Sequence, residues 1–441
     1  MAALLPMAAC NLDEALQVED QFSVTPGVAR DTANLINTYA GALTRFQTAV
    51  GGRQNSEGGF VLQTATFTDE AVSSDNFSTR NALDRRVPSE NNAATAYPYI
   101  YLQRARAEAT NAASLFASTS KAGSQMHVNL HNVIGYSILM LAEAFCSGVP
   151  LSNVDVDGAF QASPGLETNA LLDSAIANFD RATSLAGSNF AAEVNLARVG
   201  KARAQMLRGD YAAAAATVAP VPSNFVYQVE FDAATQVTWN AVNQLLNQEK
   251  RWSTTDNEGT NGLNFMSAHD PRVPWGDEDG TLYAPAGDGP ALDGGTHFSQ
   301  LKYPDVGDDI ELASGVEARY IQAEAALKAG NVGSALTFVN QARAAENLGL
   351  GALVAADFGA TAKDQARRLF RERAFSLWLE GKRMGDIRRM IRHFGFTEDE
   401  VLPIGLDRRG DPYGDAVVWE IPQDERNNPL YTGCLTPATQ A

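Results

Sequence analysis

The sequence predicts an all-α chain assembled from helical pairs, interrupted by one long irregular segment. Three observations lead to that class: an internal repeat of small residues, helix-period apolar spacing in the segments around it, and a stretch at 253–310 with no helical period. The repeat is the strongest of these. Ala197-Arg198-x-x-x-Ala202-x-Ala204-x-Met206-x-x-Gly209-Asp210-x-x-x-Ala214 matches Ala318-Arg319-x-x-x-Ala323-x-Ala325-x-Leu327-x-x-Gly330-Asn331-x-x-x-Ala335. Such spacing is that of tetratricopeptide-like pairs, where alanines let two helices approach and a glycine closes the first.

Taken in order, apolar residues at helical period mark 98 to about 117, 125–145, 171–186 and 236–246, as in Val133, Ile134, Leu139, Leu141 and Phe145. With the two repeat copies they make a scaffold of roughly four helical pairs. Residues 253–310 are rich in Gly, Pro, Asp and Asn with scattered aromatics. A segment this long and irregular inside a compact domain carries function or disorder, and the ligand face is expected there. Towards the C-terminus, Phe370, Ala374, Leu377, Trp378 and Gly381 recur at three- and four-residue steps and predict a buried helix face. Around it stand Arg368, Arg371, Glu372, Arg373, Glu380, Arg383, Asp386, Arg388 and Arg389. Guanidinium forks clamp carboxylates, so these charges are expected to lock the helix to its neighbours rather than to bind an anion.

The chain has 441 residues, 45% of them apolar, which suffices for a sizeable core in one body. A net charge of −18 argues against nucleic acid or an anionic lipid surface as partner and leaves neutral ligands open. There is no run of eighteen apolar residues to span a bilayer as a helix.

Four phrases, in order, resemble the SusD/RagB family of outer-membrane nutrient-binding lipoproteins. The C-terminal stretch Glu380-Gly-Lys-Arg-Met-Gly-Asp-Ile-Arg-Arg389 resembles the family's Glu-Gly-x-Arg-x-x-Asp-x-Arg-Arg phrase, with Met384-Gly385 where an aromatic is more usual. Trp419-Glu-Ile-Pro-Gln-Asp-Glu-Arg-Asn-Asn-Pro429 resembles its closing segment, and His269-Asp-Pro-Arg272 its Asp-Pro-Arg phrase. Leu141-Ala-Glu-Ala-Phe-Cys-Ser-Gly-Val-Pro-Leu151 resembles its helix exit, with Cys-Ser inserted.

The N-terminus, Met1 to Cys10, looks like the tail of a bacterial lipoprotein signal. Ala8 and Ala9 fit the small positions, while Met7 stands where Leu is commoner. Cys10 is thus the expected lipidation site, a membrane anchor without a span. In an exported protein the two remaining cysteines, Cys146 and Cys434, each beside a glycine turn, are expected to pair. The expected organisation is a signal remnant at 1–10 and one domain at 11–441, divided into a helical half at 11–252, the loop-rich insertion at 253–310 and a helical close at 311–441.

The resemblance implies a cell-surface protein that captures an oligosaccharide or similar nutrient and passes it to a TonB-dependent transporter of the SusC type. It implies binding, not catalysis, and no cofactor. Sugar recognition needs flat apolar faces for C–H surfaces and planar polar groups for hydroxyls. The expected ligand residues are Asp75, Asn76, Tyr97, Trp252, Asn264, Trp275 and Tyr283, with Phe298, Tyr99 and Tyr101 further candidates. For any one aromatic, burial in the scaffold competes with that role.

Other chemistry is set aside. Ser118-Thr-Ser-Lys121 and Ser74-Asp-Asn76 match phrases of penicillin-recognising enzymes but in the wrong order and without Lys-Thr-Gly. His127 and His131 share a helix face but lack the Glu and third ligand of a zinc site, so no metal is assigned. Asp277, Glu278, Asp279, Asp288 and Asp293 fit no EF-hand spacing and read as a solvated acidic loop. A surface structural or protein-interaction module on the same scaffold is the alternative function. Converging aromatics in 253–310 would separate the two.

Overall fold

The computed structural model describes residues 32–53, 58–87, 89–155 and 158–441. The lipobox expectation at Cys10 lies outside them. In chain order the helices are α1 (Thr32–Gly51), α2 (Phe60–Phe67), α3 (Ser78–Asp84), α4 (Ala93–Ala117), α5 (Gln125–Ala144), α6 (Thr168–Ala186) and α7 (Ala191–Arg208). They continue with α8 (Tyr211–Val218), α9 (Ala241–Asn243), α10 (Gly315–Lys328), α11 (Val332–Ala345), α12 (Ala362–Ser376) and α13 (Arg383–Phe394). Among the described residues the strands between them are short and form two-stranded ladders. No helix among the described residues is long and apolar enough to cross a membrane.

Neighbours in sequence are neighbours in space: α4 packs on α1 and α5, α5 on α6, α6 on α7, α7 on α8, and α10 on both α8 and α11. The chain is therefore all-α, a succession of helical pairs, and the repeat copies are α7–α8 and α10–α11. Ala197, Ala202, Ala204 and Ala214 in one copy, and Ala318, Ala323 and Ala335 in the other, are fully buried. The close approach those alanines permit is extended by two helix glycines. A Cβ on Gly135 or Gly200 would stand 2.6 or 2.4 Å from the Phe179 ring, which is wedged between their helices.

Helix boundaries depart from the sequence reading where polar caps intervene. The helix expected from 98 starts at Ala93, because the Asn92 Oδ1 accepts from Ala94 N at 2.8 Å, and Pro98 lies inside it. The single helix expected at 236–246 is split. A 3₁₀ turn (Gln236–Thr238) precedes Asn240, whose Oδ1 caps Val242 N at 3.0 Å, and α9 runs on into a π-helical turn at Gln244–Gln248.

The largest departure is in the C-terminal signature. The helix face expected to run from Phe370 to Gly381 breaks after Ser376, with Leu379 at φ +55° and Gly381 at φ +70° before α13 begins. Glu70, just beyond α2, receives the chain at the break, taking one freed backbone amide and an indole N–H. Its carbonyl accepts from Trp378 Nε1 at 3.3 Å and its Oε1 accepts from Leu379 N at 3.1 Å.

Most of the signature charges are not on a surface; Arg368 and Arg371 stay partly exposed, and the others form buried pairs and a buried network. Glu317 on α10 receives Arg203 of α7 (3.5 Å), Arg373 of α12 (3.2 Å) and Lys382 (3.3 Å). Arg373 also binds Asp386 (2.8 Å), Asp386 binds Arg389 (2.7 Å), Arg389 binds Glu324 (2.8 Å), and Arg203 binds Glu143 of α5 (2.7 Å). The charges balance, four cations against four anions. Arg388 donates to the Ala142 and Glu143 carbonyls at the end of α5, at 2.5 and 3.0 Å.

Cys146 and Cys434 are bonded, with Cα atoms 5.8 Å apart, and tie the C-terminal tail to the exit of α5. Removing the bond with a Cys146→Ser/Cys434→Ser pair is expected to cost about 2–5 kcal/mol in denaturant unfolding. Glu70 supplies a second test. Burial, reinforced by the Asp69 carboxylate, pushes its carboxyl up to about 8. Folded Glu70 keeps its proton where the unfolded residue has lost it, so stability declines as pH climbs from the ordinary carboxylate range through about 8. Glu70→Gln keeps the acceptor for Leu379 and cannot ionise. Its melting temperature is expected to exceed the parent's at pH 9 and to match it near pH 5.

Candidate functional site

The irregular segment is held to the scaffold at both ends. Strand β1 (Ala71–Ser73) pairs antiparallel with β2 (Trp252–Thr254), and β3 (Trp275–Gly276) with β4 (Ser299–Gln300). Between them Arg272 acts as a bolt. It donates to both oxygens of Asp270 (2.9 and 2.7 Å), to Glu372 Oε2 of α12 (2.8 Å) and to Ser376 Oγ (3.1 Å).

On this frame four rings converge. Trp275 forms the base, 4% exposed, its Nε1 donating to the Met266 carbonyl at 3.0 Å. His269 lies nearly parallel to it at 6.1 Å and 19°, while Tyr283 and Phe298 meet it edge-on at 5.7 and 5.6 Å. His269 and Tyr283 touch at 4.9 Å. His269 is exposed and Tyr283 half-buried, so these two rings form the accessible surface. Both hold left-handed backbone, φ +47° and +58°, a conformation that non-glycine residues rarely adopt and that costs about 1 kcal/mol or more at each.

Polar groups line one side of the rings. Asp270 adjoins His269, and its charge reaches both the Tyr283 hydroxyl and Arg371. Burial works to raise the Asp270 carboxyl, but hydrogen bonds and charge from Arg272 outweigh it and hold it below the ordinary range. The Tyr283 phenol is pushed up by burial and by Asp270, so it stays a neutral donor. Arg371 lies over the Phe375 ring at 4.2 Å and donates to Asn264 Oδ1 at 3.3 Å. A carboxylate, a guanidinium and an amide thus stand beside an aromatic face. Such a set can stack a ring and hydrogen-bond its substituents.

Of the expected ligand residues, Trp275 and Tyr283 come together here, and Asn264 joins them only through Arg371 and Asp270. Trp275 supports the face from beneath rather than offering its own. Two others are corrected by burial: Trp252 is wholly enclosed, its ring covered by the Arg80 guanidinium at 4.6 Å, and Asp75 is 1% exposed. Asp75 instead builds the adjacent turn. One oxygen accepts from Arg251 at 2.9 Å and from Arg80, and the other from the Asn76 and Phe77 amides at 2.6 and 3.2 Å. That turn presents Asn76, donating to the Leu292 carbonyl at 3.1 Å, and Phe77, 51% exposed and flanked by Arg80 and Arg251 at 4.8 and 5.4 Å. Tyr97 is exposed on α4 but packs on Tyr101 at 5.8 Å rather than on these rings, and Tyr99 is buried with its hydroxyl on Glu425.

His269 and Phe77 were missed as ring contributors. Each stands in a phrase already singled out, His269 before Asp-Pro-Arg and Phe77 after Ser-Asp-Asn, but an aromatic beside a motif carries no signal of exposure. The acidic loop is internally tied: Asp288 accepts from Ser299 Oγ at 2.8 Å and meets His297, Asp293 binds Arg408 and Arg409, and Glu278 binds Lys250. The His127 and His131 rings lie 5.3 Å apart and tilted, and their nitrogens meet Gly123 N and Asn178.

No protein-family model matches the chain, and no curated protein matches its sequence. Solved structures do match its shape. A surface glycan-binding protein A from Bacteroides uniformis superposes with a TM-score of 0.65 at 13% identity, over 91% of this chain and 99% of that one. A SusD-like protein from Bacteroides fragilis gives 0.64 at 14%, over 97% and 100%. A SusD superfamily protein from Bacteroides vulgatus gives 0.59 at 18%, over 91% and 99%. The chain has the SusD-like fold.

The role of Asp75 can be separated from ligand contact by stability alone. Asp75→Ala leaves two guanidinium groups without their shared carboxylate and is expected to destabilise by about 3 kcal/mol in urea unfolding. A residue serving only a ligand would leave the transition unmoved.

Proposed function

We propose that this SusD-fold protein captures an oligosaccharide on the face formed by His269 and Tyr283. The observation that carries the reading is the pair of accessible rings set against Trp275, His269 stacked and Tyr283 edge-on, with Asp270 next to them and Arg371 and Asn264 linked to it. A pyranose needs that combination: an apolar plane for its C–H face and planar polar groups for its hydroxyls. Shape neighbours support it, since they include the surface glycan-binding protein of Bacteroides uniformis and a SusD-like carbohydrate binding protein of Bacteroides vulgatus (TM-score 0.57, 13% identity, over 81% of this chain and 83% of that one). In this proposal the protein is anchored to the outer membrane through Cys10, faces outward and delivers its ligand to a TonB-dependent transporter of the SusC type. The lipobox-like start and the four SusD/RagB-like phrases support that part.

Calorimetric titration of the full chain with a panel of neutral oligosaccharides tests the capture step. At least one glycan is expected to bind, with Tyr283→Ala and His269→Ala each weakening it about tenfold or more, equivalent to roughly 1.4 kcal/mol. Binding that both variants leave intact would move the site elsewhere. A silent panel would overturn the reading.

A further inference from the structure

Behind the aromatic face stands a carboxylate that the capture proposal leaves unused. Glu346 is the C-cap of α11, and its Oε2 is buried without a hydrogen-bond partner. It forms no ion pair among the described residues, because the cations around it are committed elsewhere. Arg272 is held by Asp270 and Glu372, Arg343 by Glu372, and Lys302 by Glu380 at 2.6 Å and the Trp378 carbonyl at 2.8 Å. A buried carboxylate oxygen with no donor disfavours the ion and favours the acid. Burial pushes the Glu346 carboxyl up to about 7; Arg272, Ser376 and Lys302 pull it down, and the Asp270 charge adds to the rise.

One hydroxyl connects Glu346 to the face. Ser376 Oγ hydrogen-bonds Glu346, lies 2.8 Å from the Tyr320 hydroxyl and accepts from Arg272 Nη1 at 3.1 Å. Arg272 is the bolt that holds both oxygens of Asp270, and with them the turn that presents His269. A serine oxygen can accept two hydrogen bonds and donate one, so this relay has two arrangements. With Glu346 protonated, its O–H donates to Ser376 and Ser376 donates to Tyr320. With Glu346 ionised, both bonds reverse, Tyr320 donating to Ser376 and Ser376 to Glu346. The Tyr320 phenol stays neutral in both, pushed up by burial and by the Glu346 charge. Only the second arrangement puts an ion with one bare oxygen next to Arg272. That ion competes with Asp270 for the same guanidinium, and Glu372 and Arg371 on α12 complete the charges around the pair.

We infer that Glu346 is a positioning residue that makes ligand capture depend on pH. As an acid it leaves Arg272 to Asp270 and Glu372; as an ion it draws Arg272 away and loosens the turn that carries His269. Affinity therefore falls as pH climbs through the range in which Glu346 ionises. By reciprocity, binding near the middle of that range takes up a proton. The inference rests on the reading of the His269–Tyr283 surface as the binding face, so its test reads the turn by itself as well as the ligand.

Hydrogen exchange of the unliganded full chain reads the turn. Protection of the amides at 268–273, corrected for the chemical rate and taken relative to α7, is expected to fall about fivefold or more between pH 6 and pH 8. Glu346→Gln, which holds the neutral form, is expected to keep the pH 6 protection at pH 8. Calorimetry with the neutral oligosaccharide panel is expected to show the same loss of affinity in the parent, together with proton uptake at pH 7 from heats in two buffers, and neither in Glu346→Gln. Constant protection in the parent overturns the inference, whether or not a glycan binds. A pH response that survives Glu346→Gln overturns it as well, because the proton then sits on another group. A silent panel with the exchange response intact supports the Glu346 relay and overturns the binding face instead.

Discussion

Everything in this molecule hangs on a buried carboxylate, Glu317, that accepts cations from three different parts of the chain. Burial alone would push its carboxyl up, but Lys382, Arg203 and Arg373 outweigh burial and hold it ionised. Taking such charges out of water is expensive, and their mutual attraction repays it only in good geometry with the remaining donors satisfied. A network of this kind adds little net stability over a well-packed apolar core. What it adds is intolerance of alternatives, because shifting α7, α10, α12 or α13 by one residue would leave a naked charge in the interior.

The aromatic face inherits its position from that network. Glu372 on α12 receives Arg272, Arg343 and Arg368, and Arg272 in turn holds the Asp270 loop. A ring pair carried on irregular backbone is thereby referenced to the most constrained helices of the scaffold. The left-handed conformations at His269 and Tyr283 persist because Arg272 and the buried Trp275 leave their loops little freedom. The Asn76–Phe77 turn is fixed by the same device, one carboxylate shared between two guanidinium groups.

How much of this the sequence discloses depends on the kind of signal. Small-residue spacing is local and periodic, so the pairs α7–α8 and α10–α11 are legible, as is the Cys146–Cys434 bond once the cysteine count is even after Cys10. The interrupted helix at Leu377–Lys382 is not legible. Its apolar period continues straight through the break, and the residue that accepts the freed Leu379 amide, Glu70, lies some three hundred positions away. Exposure is harder still. Trp252 and Trp275 look like ideal stacking residues in a list, yet both are covered, whereas His269 and Phe77 gain their openness from the loops that carry them. Sequence supplies the residue types of a recognition face, and long-range contacts decide which of them water can reach.

Helix α13 touches α2, α5 and α7, elements drawn from early and middle portions of the chain. Arg383 pairs with Asp69, Arg388 caps α5, and Arg389 reaches Glu324. Asp69 and Glu324 thus precede in the chain, by long stretches, the cations Arg383 and Arg389 that neutralise them. The sequential helical pairs can form on their own, but the carboxylates of this network would be buried unpaired without the C-terminal helix. Completion of the ion-pair network therefore depends on the segment that holds α13. The same C-terminal phrase that locks the finished molecule thereby makes closure of the interior conditional on the presence of α13, in whatever compartment the chain folds.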